Sequence, residues 1–442
     1  MSEEQLYERN LDAMARLIGP HHGAGAPKKF GLELERVLVD GNGDRIFFSG
    51  TKGRSDDVDG VHAILNRLSL DRPEFERVDI DGHLMGLSYT FDAPRESIAV
   101  AISLEPGAQV EISAGPASHS ESLLLAIESF DRELEAAAGE LGVQASFAAR
   151  GYDQGCSDPR DIELIPKDRY LMMNAYLPRH GRYARDMMRC SGSTQVSVDY
   201  SSEADAVRLA RRATALGPVL SFLFDNAPLF RGRPSRGMSR SRMWREVDPE
   251  RCGTIPGSLS AGFGFKAFCK WIASLHTILF ADRDGVSTDA GDRVSADYMR
   301  DRELTDDELM HLISMSWPTF RFKGYLECRE MDALPPRMAV ACAVFTAAVL
   351  YCPDLEERLP FDIYGVDEAG VDAARHVLED NHWDAVPYGV AVDKVAAVLA
   401  EAAVGLCADD ADRAAVETLA SMWAAHRLPR DFSLDELASM GR

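Results

Sequence analysis

The 442-residue chain has no apolar run long enough to cross a bilayer. Its longest, residues 338–352, falls short of the about 20 residues a span requires. Pro335 and Pro336 precede that run, as at the start of a buried helix. Nor is a targeting signal expected: the opening residues are charged and run into Gly19-Pro20-His21-His22, without an apolar core or small-residue cleavage site. Positive charge is in deficit. A formal net charge of −23 argues against nucleic acid and against an anionic membrane as partners, but leaves anionic small molecules open. The eight cysteines fall at no paired spacing, which excludes a zinc site and a disulfide framework and predicts reduced, mostly buried thiols in a cytoplasmic protein. No G-x-x-x-x-G-K-[ST] occurs, so a nucleotide is not held by a P-loop; no G-x-G-x-x-G follows a strand, and no G-x-S-x-G elbow is present.

What remains is an ordinary globular mixture, 46% hydrophobic and 27% charged. Periodicity predicts helices over 4–17, 120–141, 204–224 and 265–279, a strand over 29–39, a polar hairpin at 40–43 and a Gly-, Ser- and Asp-rich loop over 50–59. A second strand pair flanks 105–109. Thr305 with Glu308, and Ser433 with Glu436, are capping-box pairs that open helices. Beyond 335 no alternating strand is found. With neither repeat nor long linker, the reading is one α+β unit over 1–442, with its motifs in 31–334 and a helical C-terminal layer over 335–442.

Four short segments alternate with period two. As strands, they place Glu33 and Glu35, then Gln109, Glu111 and Ser113, then Gln195, Ser197 and Asp199, then Tyr325, Glu327 and Arg329 on faces opposite their apolar neighbours. Half-exposed antiparallel strands read this way too. Here, however, the polar positions are carboxylates, amides and one arginine rather than the usual surface mixture. Carboxylates crowded on one face raise each other's pKa unless cations neutralise them, and such hard oxygen donors suit Mg²⁺ or Mn²⁺. A second feature is the run of arginines at 231, 233, 236, 240, 242, 245 and 251, without a lysine among them. Most read as a solvated loop. The exclusive use of arginine points to fork-like binding of a carboxylate or phosphate by one or two. A third basic cluster surrounds Lys167 and Arg169.

Six stretches in order then carry a resemblance: GLELE at 31–35, SLEPGAQVEISAGP at 103–116, IPKDRYLMMNAYLP at 165–178, DMMRCSGSTQVSVDYSSE at 186–203, SRSRMW at 239–244 and WPTFRFKGYLECREMD at 317–332. Together they resemble the plant and proteobacterial glutamate–cysteine ligases, a branch of the glutamine-synthetase-like carboxylate–amine ligases. The resemblance implies a curved antiparallel sheet whose polar face is the active site, packed with helices. It implies ATP as co-substrate, Mg²⁺ or Mn²⁺ as metal, and glutamate and cysteine as substrates, in a monomer or homodimer serving glutathione-type thiol synthesis. Glu33, Glu35, Glu111 and Glu327, with Glu105 beside them, occupy the positions of metal-binding carboxylates. Arg240 matches the arginine that contacts glutamate, and Arg329 falls where a second positive charge meets substrate or phosphate; these two are the expected catalytic pair. Gln109, Gln195, Tyr325 and Trp244 are expected substrate contacts.

Two departures bear on the expectation. Leu32 and Leu34 stand where plant members carry Thr and His, on the face away from the carboxylates. After Asp332 the chain reads Ala333-Leu334-Pro335-Pro336 instead of a Gly-Gly-Pro-Trp-like continuation, which touches the acceptor pocket. No plant-type regulatory disulfide is expected. Alternatives are a carboxylate–amine ligase with another acceptor, a silent relative that binds glutamate or nucleotide, and a metal-dependent hydrolase of γ-glutamyl compounds.

Overall fold

Alternation of Leu32 and Leu34 with Glu33 and Glu35 gives one strand an apolar and an acidic face, and the sheet is organised around it. The structure, a computed structural model, describes residues 1–23, 25–50, 59–70, 72–282 and 286–440; most of the loop expected at 50–59 lies outside the described residues. The main sheet has nine antiparallel strands: β1 (Phe30–Asp40), β2 (Glu76–Ile80), β3 (His83–Asp92), β4 (Ser97–Leu104), β5 (Val110–Ala117), β6 (Ala145–Ala148), β7 (Ser193–Val198), β8 (Phe320–Phe322) and β9 (Leu326–Asp332). Their order is β8-β9-β7-β1-β5-β4-β3-β2, with β6 pairing the far half of β1.

Register decides the faces, because directly paired residues point the same way. Glu33 pairs Ser113 and Gln195, Glu35 pairs Glu111, Glu111 pairs Ser103, and Ser197 pairs both Gly31 and Glu327. All of these share one face. The other carries Leu32, Leu34, Val110, Ile112, Val196, Val198, Leu326 and Cys328, each buried. Three helices cover that apolar side: Ser120–Glu140 against β5, Glu203–Leu223 against β9, and Pro336–Tyr351 against β1 and β7. The last is the apolar run at 338–352. It is buried from Met338 to Leu350 on every side, which explains its lack of a polar stripe. Among the described residues no helix is long and apolar enough to cross a membrane.

After 335 the described residues hold helices and short turns but no strand. This layer is tied back to the sheet by Tyr351, whose hydroxyl donates to the Lys29 and Asp199 carbonyls, and by Trp423, which donates to Leu223 O. Ser2, Thr305 and Ser433 cap helices as capping boxes. One helix is shorter than expected: that from 265 ends at Ser274. Thr277 N then pairs with Arg293 O, and Leu279–Ala281 forms a small ribbon with Ser287–Asp289. Seven of the eight cysteines are buried and all are free thiols.

Candidate active site

Glu33, Glu35, Glu105 and Glu111 are half-buried, and each stands near at least one other carboxylate. Burial, then the nearby charge of Glu327, raises the pKa of Glu33 above the usual carboxylate range. Burial first, then Glu33, Glu105 and Glu35, raises Glu111 well above it, although Ser103 Oγ donates to Glu111 at 2.9 Å. Glu105 is pushed up to about 7 by burial and by Glu35, with Lys167, Arg169 and Arg329 pulling the other way. Such groups ionise together only when a cation joins them.

Glu105 is set by the connection between β4 and β5, which is pinned on all sides. Glu105 N donates to Gln109 O, Ala108 adopts a positive φ of 64°, and Ile165 N reaches Pro106 O. Arg45 donates to Gly107 O, and a Cβ on Gly107 would lie 2.6 Å from Arg189 O. Gln109 belongs to this scaffold. Its Oε1 accepts from Gly107 N at 2.9 Å and its Nε2 donates to Ser191 O at 2.9 Å and to Met188 O at 3.4 Å, so the buried amide is committed to the loop rather than presented to a substrate. That corrects the expected substrate contact: the strand begins only at Val110, and the turn before it aims Gln109 into the loop.

Glu327 differs from the other carboxylates. It is fully buried, with Arg321 Nε at 2.9 Å, Lys323 Nζ at 2.8 Å and Arg329 at 2.9 Å. Burial alone would raise its pKa; the three cations outweigh that and hold it well below the usual range. It serves a metal only by giving up those pairs. Gln195 joins the two halves of the face: Nε2 donates to Glu35 at 3.0 Å and Ser193 Oγ at 3.1 Å, while Arg329 donates to Oε1. Arg321 and Lys323 escaped the sequence reading, although Phe320-Arg321-Phe322-Lys323 alternates like its neighbours.

Two cavities open at this face. One of about 670 Å³ lies over β1, β3, β4, β5 and β7; Glu33 lines it with Ser88, Ala101, Ser113, Ser197 and Tyr325. Tyr325 falls in the turn before β9 rather than on the strand. The second, about 30 Å³, is lined by Arg240, Trp244, Arg329, Trp317, Glu330 and Arg375, among others. Arg240 is buried, donates from one terminal nitrogen to Arg329 O at 2.7 Å, and leaves Nε without a partner. The helix Ser239–Arg245 that carries it follows Gly237 and Met238, both at positive φ. The other arginines of the run divide by contact. Arg236 is exposed, Arg231 pairs Asp186, Arg251 is buried against Asp248, and Arg245 pairs Glu379 at 2.6 Å rather than lying in solvent.

As donors, Glu33, Glu35, Glu105 and Glu111 suit a hard divalent cation: four oxygen-bearing carboxylates close enough to raise one another's pKa even with cations nearby. Among the described residues, no three His, Cys, Asp or Glu side chains are already drawn together as a ligand set.

Proteins named glutamate–cysteine ligase, chloroplastic, from Brassica juncea and Nicotiana tabacum are 30% and 32% identical to this chain over 305 and 300 residues, 67% and 66% of its length. The chain spans just over half of each of those proteins, 57% and 55%. A solved structure, GmaS without ligand, aligns over 97% of this chain and 76% of its own at 12% identity and a TM-score of 0.32. The sequence profile described as glutamate–cysteine ligase family 2 matches residues 29–422, and the chain belongs to that family.

Proposed function

We propose that this protein joins the γ-carboxylate of glutamate to the amine of cysteine at the expense of ATP, giving γ-glutamylcysteine. The observation that carries the reading is the single sheet face on which four half-buried carboxylates meet a cationic cluster and Arg240, in a chain of this family.

A carboxylate does not acylate an amine unaided, because oxide is too poor a leaving group. Transfer of the γ-phosphoryl group of ATP to the glutamate γ-carboxylate gives an acyl phosphate; the amine attacks its carbonyl and phosphate leaves. A divalent cation, Mg²⁺ or Mn²⁺, held by Glu33, Glu35, Glu105 and Glu111 would neutralise charge on the phosphates. The large cavity beside Glu33 lies within the size range of ligand sites and suits the nucleotide. Arg240, with Nε and a terminal nitrogen free of protein partners, would take the α-carboxylate of glutamate and aim its γ-carboxylate inward. Arg329 sits between the two ends of the face. Held by Glu327 and Gln195, it would offset the charge that develops on the transferred group. Glu327 keeps Arg321, Lys323 and Arg329 in one cluster.

The test is ADP release with glutamate, magnesium and ATP against a panel of twenty amino acids as acceptors. Cysteine should give the fastest release. ADP release that ignores the acceptor, or none with any, refutes the ligase reading, and a faster acceptor than cysteine replaces the substrate.

A further inference from the structure

The turn that launches the Arg240 helix is held from the far end of the chain. Gly237 and Met238 both adopt left-handed backbone, at φ 107° and 46°, directly before the helix Ser239–Arg245. Glycine enters that region freely, but methionine is disfavoured there, and a helix of seven residues without a side-chain cap has little hold of its own. Contacts from outside impose the conformation. Met238 N donates to Asp225 Oδ2 at 2.9 Å. The same oxygen accepts from one terminal nitrogen of Arg430 at 2.9 Å, and the other terminal nitrogen of Arg430 donates to Ser235 O at 2.7 Å. Arg430 N reaches Asp225 O at 3.0 Å, so the two residues are joined at backbone and side chain alike. Asp225 is 1% exposed, and its other oxygen accepts from Ala227 N at 3.2 Å. A Cβ on Gly237 would lie 2.6 Å from His382 Cε1 and 3.1 Å from Arg430, so the turn is also packed tightly. Arg430 and His382 both belong to the helical layer beyond 335, outside every stretch that carries the family resemblance.

Arg240 is the second residue of the launched helix. A small rotation about Gly237 or Met238 therefore becomes a displacement of its guanidinium at the end of a long side chain. A two-pronged carboxylate contact tolerates little of that, and misplacement by about 1 Å can cost a hundredfold. Resting on the reading in which Arg240 receives the glutamate α-carboxylate, we propose that Arg430 is a positioning residue for substrate recognition: with Asp225 it clamps the turn 235–238 in the one conformation that aims Arg240 at the substrate.

Calorimetric titration of the whole protein with L-glutamate, magnesium and ADP being present, tests this beside steady-state ADP release with cysteine as acceptor. Arg430→Met should weaken glutamate binding, and raise the glutamate requirement, roughly tenfold. ADP binding and the requirements for ATP and cysteine should stay within about twofold of wild type, because nothing in the clamp acts on them. Arg430→Lys keeps a charge beside Asp225 but has one point of contact where the guanidinium has two, so it should fall between wild type and Arg430→Met; it decides the matter if Arg430→Met does not fold. Gly237→Ala disturbs the turn without touching Arg430 and should reproduce the glutamate-specific loss. On an Arg240→Lys background, Arg430→Met should cost far less than it does alone, since its effect runs through Arg240. Unchanged glutamate affinity in Arg430→Met, equal weakening of glutamate and ADP, or full additivity with Arg240→Lys overturns the proposal, whatever happens to the melting temperature. So does a wild-type protein that binds no glutamate. A wild-type protein that binds glutamate without acceptor-dependent ADP release sinks the ligase reading, and the glutamate-specific loss in Arg430→Met would then uphold the clamp by itself.

Discussion

Glu111→Gln and Glu327→Gln remove one charge each from the same sheet face, yet their effects on the metal-free protein should have opposite signs. Burial and three neighbouring carboxylates raise the pKa of Glu111 well above the usual carboxylate range, so its charge is disfavoured in the folded protein. An isosteric neutral amide there should leave stability within about 1 kcal/mol of wild type, on the stabilising side. Glu327 is held ionised by Arg321, Lys323 and Arg329 at 2.8–2.9 Å. Neutralising it strands three cations. Arg321 retains Ser316 O and Arg329 retains Gln195, but Lys323 has no other acceptor among the described residues. Breaking a buried pair from one side costs about 3–5 kcal/mol; with Lys323 reaching some water, about 3 kcal/mol is expected, or about 150-fold in the folding equilibrium. The pH dependence supplies a second sign. Glu327 has a depressed folded pKa, so its contribution is present above the unfolded carboxylate pKa of about 4.3 and fades as pH falls through the folded value. Glu111 has a raised one, so its contribution is full below about 4.3 and is lost as pH rises through the folded value. Urea unfolding with chelator, followed by tryptophan fluorescence at several pH values, reads both. A Glu327→Gln protein as stable as wild type would refute the three-cation account, and Lys323→Met on that background should restore part of the loss.

On the substrate side, Arg240→Lys keeps the charge but loses the fork, and should raise the glutamate requirement roughly tenfold to a hundredfold with little change for ATP. Arg236→Lys should leave steady-state titrations unchanged, while Arg245→Lys weakens the pair with Glu379 and should register as lower stability. With Glu105 pushed up to about 7, a metal must displace its proton below that pH. The magnesium concentration for half-maximal activity should therefore climb as pH falls from 8 to 6, and Glu105→Gln should flatten that climb. Gly107→Ala brings a Cβ to 2.6 Å from Arg189 O, so it should displace the Glu105 loop and lower kcat, with a smaller effect on melting temperature.

The sheet face was legible in the sequence because a period-two alternation survives any arrangement of strands: wherever β1 lies, Glu33 and Glu35 oppose Leu32 and Leu34. The register that aligns Glu35 with Glu111, or Ser197 with Glu327, was not, since it depends on partners far away in the chain. Gln109 misled because its parity was right but it sits one residue before the strand, where turn geometry rather than pleat sets direction. Arg321 and Lys323 carried the same alternation as their neighbours and were there to be found. Arg375 and Glu379 offered no local signal, because a charged residue on an amphipathic helix reads as surface until the helix is docked.

The helix Pro336–Tyr351 has a consequence for any attempt to reduce this protein to its working parts. Every residue expected to act on substrate or metal precedes position 334, yet the back of the sheet that aims them is sealed by a helix beginning at 336. A fragment trimmed to the motif-bearing stretches would open Leu32, Leu34, Val196 and Val198 to water and lose Tyr351, which bridges the backbone at Lys29 and Asp199. Chemistry and scaffold are thus written in different parts of the chain, and no minimal catalytic fragment ends where the motifs do.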